Sequence, residues 1–94
     1  MEYEFTKQFA GDLRRYKTDQ QFIHSIGKRI NETIVALSIV DIHGLSQIRG
    51  ITVHYRFKIK TKEAVYRIGI KRLKKVIWFA CIDNDKKRFY KRFP

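Results

Sequence analysis

The sequence contains one cysteine, Cys81, and a single cysteine excludes an intramolecular disulfide. Cys81 lies inside an apolar run, so we expect it to be a small buried hydrophobic side chain. A catalytic thiol is the alternative interpretation.

Long hydrophobic runs are also missing. The longest, residues 76–82, has seven residues, whereas a membrane-spanning helix needs about 20. The first residues lack the basic and apolar regions of a secretory signal. We therefore expect a cytoplasmic protein with no membrane partner.

Acidic residues are few. The chain has 9 of them against 21 lysines and arginines, which gives a formal net charge of +12. Such an imbalance points first to nucleic acid, second to an acidic protein partner and third to an anionic membrane surface. The alternative is a solvated basic surface without a specific ligand, although self-repulsion would then weaken so small a domain.

Patterns typical of metal and nucleophile chemistry do not occur. His24, His43 and His54 are 19 and 11 residues apart and form no close pair, so we expect no metal and no cofactor. No serine stands in a nucleophile elbow, and no glycine-rich phosphate loop follows a strand. Any catalysis must therefore use cations and a tyrosine.

The N-terminal part of the chain predicts one strand and two helices. Tyr3 and Phe5 alternate with glutamates, which favours a short strand. Thr6 is a suitable cap for a first amphipathic helix, and Thr18 or Asp19 for a second one. The apolar residues that recur at helical spacing in the second helix are Phe22, Ile23, Ile26, Ile30, Ile34 and Leu37.

The C-terminal part changes to the period of two that is typical of strands. After a loop over residues 38–50, strands are predicted at 53–60, 65–70 and 76–82, with the last apolar on both faces and hence central. This order predicts a single domain over residues 1–94 of the α+β class. In it, an N-terminal strand and a helical hairpin pack on one face of an antiparallel sheet of about four strands.

Strand alternation also gathers cations on one sheet face. If the apolar residues of strand 53–60 point to the core, Arg56, Lys58 and Lys60 point away from it, and Arg67 of the next strand joins them. These four residues form the basic strip. Adjacent like charges repel unless an anion lies across them, and phosphate is the natural candidate. The alternative is neutralisation of the strip by acidic residues, for which the candidates are Glu63, Asp83 and Asp85.

The end of the chain adds a second basic segment that contains a tyrosine. Unpaired bases stack on aromatic rings with about 1 to 3 kcal/mol each, while arginine and lysine hold phosphates. Phe89 and Phe93 are expected to pack on the sheet, whereas Tyr90 is not assigned to packing. The residues expected to contact RNA here are Lys86, Lys87, Arg88, Tyr90, Lys91 and Arg92.

Several segments resemble the RelE/ParE toxin superfamily, and the resemblance runs over nearly the whole chain. The start, residues 3–7 (YEFTK), and the stretch from Asp41 to Gly50 are similar to structural parts of the family. More specific are residues 55–59 (YRFKI), 66–69 (YRIG) and 89–94 (FYKRFP). Asp85 and Lys86 stand where many members carry a histidine–arginine pair.

The resemblance implies a toxin of a type II toxin–antitoxin system. In its ribonuclease members, sheet cations and a C-terminal tyrosine cut messenger RNA on the ribosome without a metal, and an antitoxin protein restrains them. By position, Arg67 corresponds to the catalytic sheet arginine and Tyr90 to the catalytic tyrosine, and Lys58 is expected to stabilise the phosphate charge together with Arg67. A gyrase poison of the ParE kind and a plain RNA-binding module are the alternatives. The residues expected to bind RNA are Arg56, Lys60, Lys86, Lys87, Arg88, Lys91 and Arg92.

Overall fold

The computed structural model describes residues 2–36, 39–42, 44–48 and 53–93, and it confirms the α+β class. No helix in these ranges is long and apolar enough to cross a membrane. The elements, in chain order, are β1 (Glu2–Phe5), α1 (Lys7–Arg15), α2 (Gln20–Val35), a short 3-10 turn (Ile39–Asp41), β2 (Ser46–Gln47), β3 (His54–Lys60), β4 (Val65–Leu73), β5 (Val76–Asp83) and α3 (Lys86–Arg92).

Within the described residues the sheet has five strands in the order β1-β5-β4-β3-β2, so the expected antiparallel sheet of about four strands is corrected in two respects. First, β1 pairs with β5 in parallel, because the chain crosses over through α1 and α2 before it returns to the sheet. Second, the predicted loop over residues 38–50 contains β2, which pairs antiparallel with β3. Two polar residues carry no alternation, so the sequence pattern did not reveal this strand.

Side-chain oxygens cap the N-termini of the two long helices, as the sequence predicted. Thr6 Oγ1 accepts a hydrogen bond from the Phe9 N–H at 3.0 Å and donates to the Ala80 carbonyl at 2.7 Å, which ties α1 to β5. Asp19 caps α2 by accepting from the Phe22 N–H at 3.2 Å. Helix α2 ends at Val35, and Leu37, assigned to it from the sequence, lies outside the described residues.

The main core lies between these helices and one face of the sheet, and the predicted inward residues of the strands are confirmed. Phe57, Ile59 and Tyr66 are buried, as are Ile68 and Ile70. They pack with the apolar faces of α1 and α2 in one cluster, to which β5 also contributes. The inward set of β3 and β4 leaves Arg56, Lys58 and Arg67 on the opposite face.

The helical hairpin covers one face of the sheet, as expected, and the opposite face carries a second apolar cluster. Helix α3, Lys86–Arg92, packs there. Its Phe89 and Phe93 pack on Ala80 and Cys81 of β5. A bulge makes this possible: Gly69 pairs with Cys81 and the next residue, Ile70, pairs with Phe79, which leaves Ala80 as the extra residue.

Cys81 is buried in this second cluster, 2% exposed, as its apolar neighbours predicted. Burial raises the pKa of its thiol to about 12, so the reactive thiolate is scarce at neutral pH. We therefore expect a thiol-specific reagent to label the native protein far more slowly than the protein in denaturant. Rapid labelling of the folded chain would instead support the alternative of a reactive thiol.

Candidate active site

The cations of the basic strip lie in register across the outer face of the sheet. Lys58 on β3 is the pairing partner of Arg67 on β4, and Arg67 in turn pairs with Asp83 on β5. Arg56 is two residues before Lys58 on β3, so it lies on the same face, and it pairs with Gly69. The structure thus brings Arg56, Lys58 and Arg67 together as predicted, with the exposed Lys60 at the end of the same strand.

Tyr90 reaches this cluster from α3. Arg56 Nε donates a hydrogen bond to the Tyr90 hydroxyl at 3.0 Å. Burial disfavours the phenolate, but hydrogen bonding from Arg56 and the nearby positive charges of Arg56 and Arg67 outweigh it and lower the pKa of Tyr90 below its ordinary value. The phenol is therefore held on the sheet cations and is easier to deprotonate than a free tyrosine.

Arg67 is partly buried beside this phenol. Its Nε is enclosed, yet within the described ranges it donates to no other group. A buried donor without a partner costs free energy, and a phosphate oxygen is a strong acceptor for a guanidinium. Arg67 thus combines a buried Nε that lacks an acceptor with a guanidinium group suited to an anion.

Lys58 is affected by the same crowding of charge. The positive charges of Arg56 first and Arg67 second, together with some desolvation, lower the pKa of Lys58. A lowered pKa makes the ammonium group a stronger acid, so Lys58 is better suited than an ordinary lysine to release a proton.

The acidic residues named as possible neutralisers of the strip are used elsewhere. Asp83 accepts from Arg88 and Arg92 of α3, and Asp85 caps that helix by accepting from the Arg88 N–H at 2.8 Å. Glu63 lies exposed in the turn between β3 and β4. Across the portion of the chain described, no ion pair involves Arg56, Lys58 or Arg67, so their charge is not offset by a bound carboxylate.

The basic residues of α3 divide into two groups. Lys86, Lys87 and Lys91 are exposed, as a role in RNA binding requires. Arg88 and Arg92 instead form ion pairs with Asp83, and Arg92 also pairs with Asp12 at 2.8 Å. Contact of these two arginines with RNA stays a prediction, but both are already engaged within the protein.

Two concavities flank the cluster. A cavity of about 340 Å³ is lined by Gln47, Ile48, Arg56 and Tyr90, so it opens beside the phenol. A larger groove of about 690 Å³ lies between α2 and the end of β3. It brings Lys28, which the sequence did not single out, into one lining with Lys58 and Lys60. Two acidic residues, Glu32 and Asp41, line the same groove.

Sequence reasoning did not predict that Asp12, Asp83 and Gly69 contact α3 and hold it in place. A signal for Asp12 was available, because it falls on the apolar face of α1 between Phe9 and Leu13 and is 5% exposed. Asp83 ends an apolar strand but resembles an ordinary turn residue in sequence.

In the described part of the chain, no group of three or more metal-binding side chains comes together.

Gly69 lets Phe93 lie directly on the sheet. A Cβ at this position would stand 2.7 Å from Phe93 Cδ2, so the ring must move in Gly69→Ala. We expect a loss of about 1 to 3 kcal/mol in the free energy of unfolding, typical of overpacking, together with displacement of Tyr90. Thermal unfolding measures the loss.

Gly27→Ala is the matched control, because Gly27 is in the middle of α2 and a Cβ added there would have nothing within 4 Å. Alanine there should stabilise the helix by about 0.5 to 1 kcal/mol. Equal stability of the two variants would contradict the close packing of Phe93 on Gly69.

Comparisons with known proteins agree with this architecture. No protein-family model matches the sequence, and the search of curated proteins gives no significant match. A solved structure of the RelB–RelE antitoxin–toxin complex from Methanococcus jannaschii matches at 27% identity, with 96% of this chain and 98% of that chain covered and a TM-score of 0.69.

A second solved structure, YafQ from E. coli strain BL21(DE3), matches with a TM-score of 0.70 over 94% of this chain and 97% of that chain. Its sequence identity is 11%, so it supports the fold. With the predicted strand and helix order present and near-complete correspondence to these structures, the chain has the fold of these solved toxins.

Proposed function

We propose that this chain is the toxin of a type II toxin–antitoxin system and that it cleaves messenger RNA on the ribosome, which inhibits translation in the cytoplasm. One observation carries the proposal: the Tyr90 hydroxyl lies on Arg56, beside Arg67 and Lys58, where no described carboxylate neutralises the cations. An acid, a base and an anion site are thus within one cluster.

The reaction is transfer of the RNA phosphate to its neighbouring ribose hydroxyl. The 2′-oxygen forms a bond to phosphorus, the bond from phosphorus to the 5′-oxygen breaks, and the products are a 2′,3′-cyclic phosphate and a 5′-hydroxyl end. The proton leaves the 2′-hydroxyl to a base, and the 5′-oxygen takes one from an acid. Neither water nor a metal is a reactant.

The roles follow from the charges of the side chains. Tyr90 is the base, because its pKa is lowered by the arginines beside it. Lys58 is the acid, because its pKa is lowered by the same arginines. Arg67 stabilises the negative charge that builds up on the phosphorus oxygens, an effect worth about 3 kcal/mol for a well-placed donor.

The surrounding cations hold the strand. Arg56, Lys60 and the exposed lysines of α3, Lys86, Lys87 and Lys91, surround the cluster. Each phosphate contact of this kind releases counterions, so affinity for a single strand should fall by about 0.7 log units per contact for each tenfold rise in salt. A ribose and phosphate backbone, rather than a particular base, is what these residues recognise.

A cognate antitoxin is the expected protein partner. The similar protein from M. jannaschii was solved in an antitoxin–toxin complex. In this chain a net charge of +12 and an unneutralised cluster favour an acidic segment that becomes ordered on binding. Bound there, it would cover the same cations as the RNA.

The test is incubation of the purified protein with translating ribosomes, followed by mapping of the messenger RNA ends. Cuts within codons in the ribosomal A site, with 5′-hydroxyl ends, are expected. Ribosome-free messenger RNA is the control. Bound but uncut RNA would instead identify a plain RNA-binding module, and intact RNA with broken DNA in a gyrase assay would identify a gyrase poison.

A further inference from the structure

Helix α3 presents its side chains in separate stripes. Phe89 and Phe93, four residues apart, face the sheet and belong to the second apolar cluster. Arg88 and Arg92, also four apart, face the end of β5 and, in the case of Arg92, helix α1. Tyr90 lies off both stripes and points to Arg56. The rotation of α3 about its axis therefore decides where the phenol lies.

Arg88 and Arg92 form the ionic stripe of α3. Both bind Asp83, which is 0% exposed. Its oxygens accept from Arg88 Nε at 2.9 and 3.0 Å, from Arg92 Nη1 at 2.8 Å and from the Asp85 N–H at 3.0 Å. Burial disfavours the carboxylate, but these hydrogen bonds keep the pKa of Asp83 below its ordinary value. Asp83 is thus a buried anion that meets two arginines of the same helix.

Arg92 extends this network to α1. Its Nη2 donates to both oxygens of Asp12, at 2.8 and 3.1 Å. Asp12 Oδ2 also accepts from the Ile82 N–H at 2.9 Å, so the carboxylate joins α1 to β5. With its amide oxygen turned toward Arg92, Gln8 accepts from Nε at 2.9 Å. Every nitrogen of this guanidinium then has a partner.

Such a network is a costly way to add stability. Buried ion pairs can often be replaced by apolar residues without loss, because desolvation of the charges offsets much of their attraction. A bidentate guanidinium, in contrast, fixes direction as well as distance. A helix of seven residues, too short to be stable alone, needs tertiary contacts to define its orientation. Two phenylalanine rings tolerate rotation that the ionic stripe does not.

We propose that Asp83 and Asp12 are positioning residues, which act through Arg88 and Arg92 to fix the rotation of α3 and so hold the Tyr90 hydroxyl on Arg56 beside Arg67. The inference rests on the proposed function for its catalytic consequence. Neither carboxylate touches the substrate. They affect the reaction by fixing the position of the Tyr90 hydroxyl.

The first test is a double-mutant cycle in the ribosome cleavage assay. Asp83→Asn should lower kcat by about 100-fold, the loss typical of a reacting group displaced by about 1 Å. KM should change by less than about threefold, because the exposed lysines remain. In a Tyr90→Phe background the same substitution should cost less than about threefold, since groups that act as a unit are not additive. Asp12→Asn should follow the same pattern.

Glu4→Gln is the control. It removes one exposed carboxylate on the edge strand β1, which β5 and β4 separate from β3. Its kcat should equal that of the unchanged chain. If Asp83→Asn costs the same factor with and without the Tyr90 hydroxyl, the carboxylate does not work through Tyr90 and the proposal is overturned.

The second test does not depend on activity. Carbon-13 labelling of the tyrosine ring at Cζ lets NMR follow the ionisation of Tyr90, which should occur at lower pH than for a free tyrosine. Asp83→Asn and the milder Arg92→Lys should return it toward the ordinary value, and Glu4→Gln should not. An unchanged Tyr90 titration in folded Asp83→Asn or Arg92→Lys overturns the positioning role. Absence of cleavage by the unchanged chain overturns only the proposed function, because this titration still reports on α3.

Discussion

Arg67→Ala is expected to lower the rate of messenger RNA cleavage by about 100- to 1000-fold, the usual cost of removing one donor from a charge-stabilising site. Arg67 lies between Lys58, its partner on β3, and the phenol of Tyr90. Its removal takes away the donor for the phosphorus oxygens and also one of the two charges that make Tyr90 a better base. Single-turnover cleavage on programmed ribosomes is the measurement.

The same substitution should leave the protein as stable as before, or more stable. Arg56, Lys58 and Arg67 repel one another, and no described carboxylate pairs with them. Loss of one charge relieves this repulsion, most clearly at low salt. Thermal unfolding in low and high salt tests the point. A large fall in the unfolding midpoint would mean that Arg67 is a structural residue.

Arg72→Ala is the control for both measurements. Arg72 lies on the same strand, β4, but is exposed near its far end, opposite Ile77 rather than opposite a cation. The substitution Arg72→Ala removes the same charge from the chain as Arg67→Ala, so it corrects for any general weakening of RNA binding. Cleavage by Arg72→Ala reduced as far as by Arg67→Ala would contradict a specific role for Arg67.

Tyr90→Phe should lower cleavage by about 100-fold or more, within the range of general acid–base catalysis, and should alter its pH dependence. The pKa of Tyr90 is lowered, chiefly by Arg56 against the effect of burial. Below that pKa the phenolate fraction rises tenfold per pH unit, so the rate of the unchanged chain should rise with pH. Phenylalanine cannot ionise, and this dependence should disappear with it.

The pH profile of kcat, measured with both proteins on the same ribosomes, decides the role of Tyr90. Tyr3→Phe is the control, because Tyr3 is an exposed tyrosine on β1 that takes no part in the cluster. If the pH dependence persists in Tyr90→Phe while the rate falls, Tyr90 stacks on a base and another group takes the proton. Tyr90→Leu tests stacking alone, because leucine has no ring. If Tyr90 acts by stacking, the cleavage rate should fall further in Tyr90→Leu than in Tyr90→Phe.

The prediction that Arg56, Lys58 and Arg67 share a face came from local chemistry. A strand turns successive side chains to opposite faces, so the apolar residues of β3 and β4 leave their neighbours on the other side whatever the rest of the fold does. The caps at Thr6 and Asp19 were readable for the same reason, since a capping oxygen bonds within three residues along the chain. The assignment of Tyr90 to the site and of Phe89 and Phe93 to packing followed from their polarity.

The place of α3 could not be derived in this way. Asp12 and Arg92 are 80 residues apart, and their ion pair exists because β1 and α1 lie against β5 and α3 folds back onto the outer face of the sheet. The bulge at Ala80 and the close contact of Phe93 with Gly69 also depend on pairing between distant strands.

By itself the sequence determined which side chains face outward on each strand, where the helices begin, and that the protein carries a large positive charge. Those properties depend on backbone geometry within a few residues and on composition. Only the tertiary structure decided that Arg88 and Arg92 are held by buried carboxylates, that the second apolar cluster exists, and that Tyr90 meets Arg56. Contacts between distant segments depend on how the whole chain packs, and no local pattern records them.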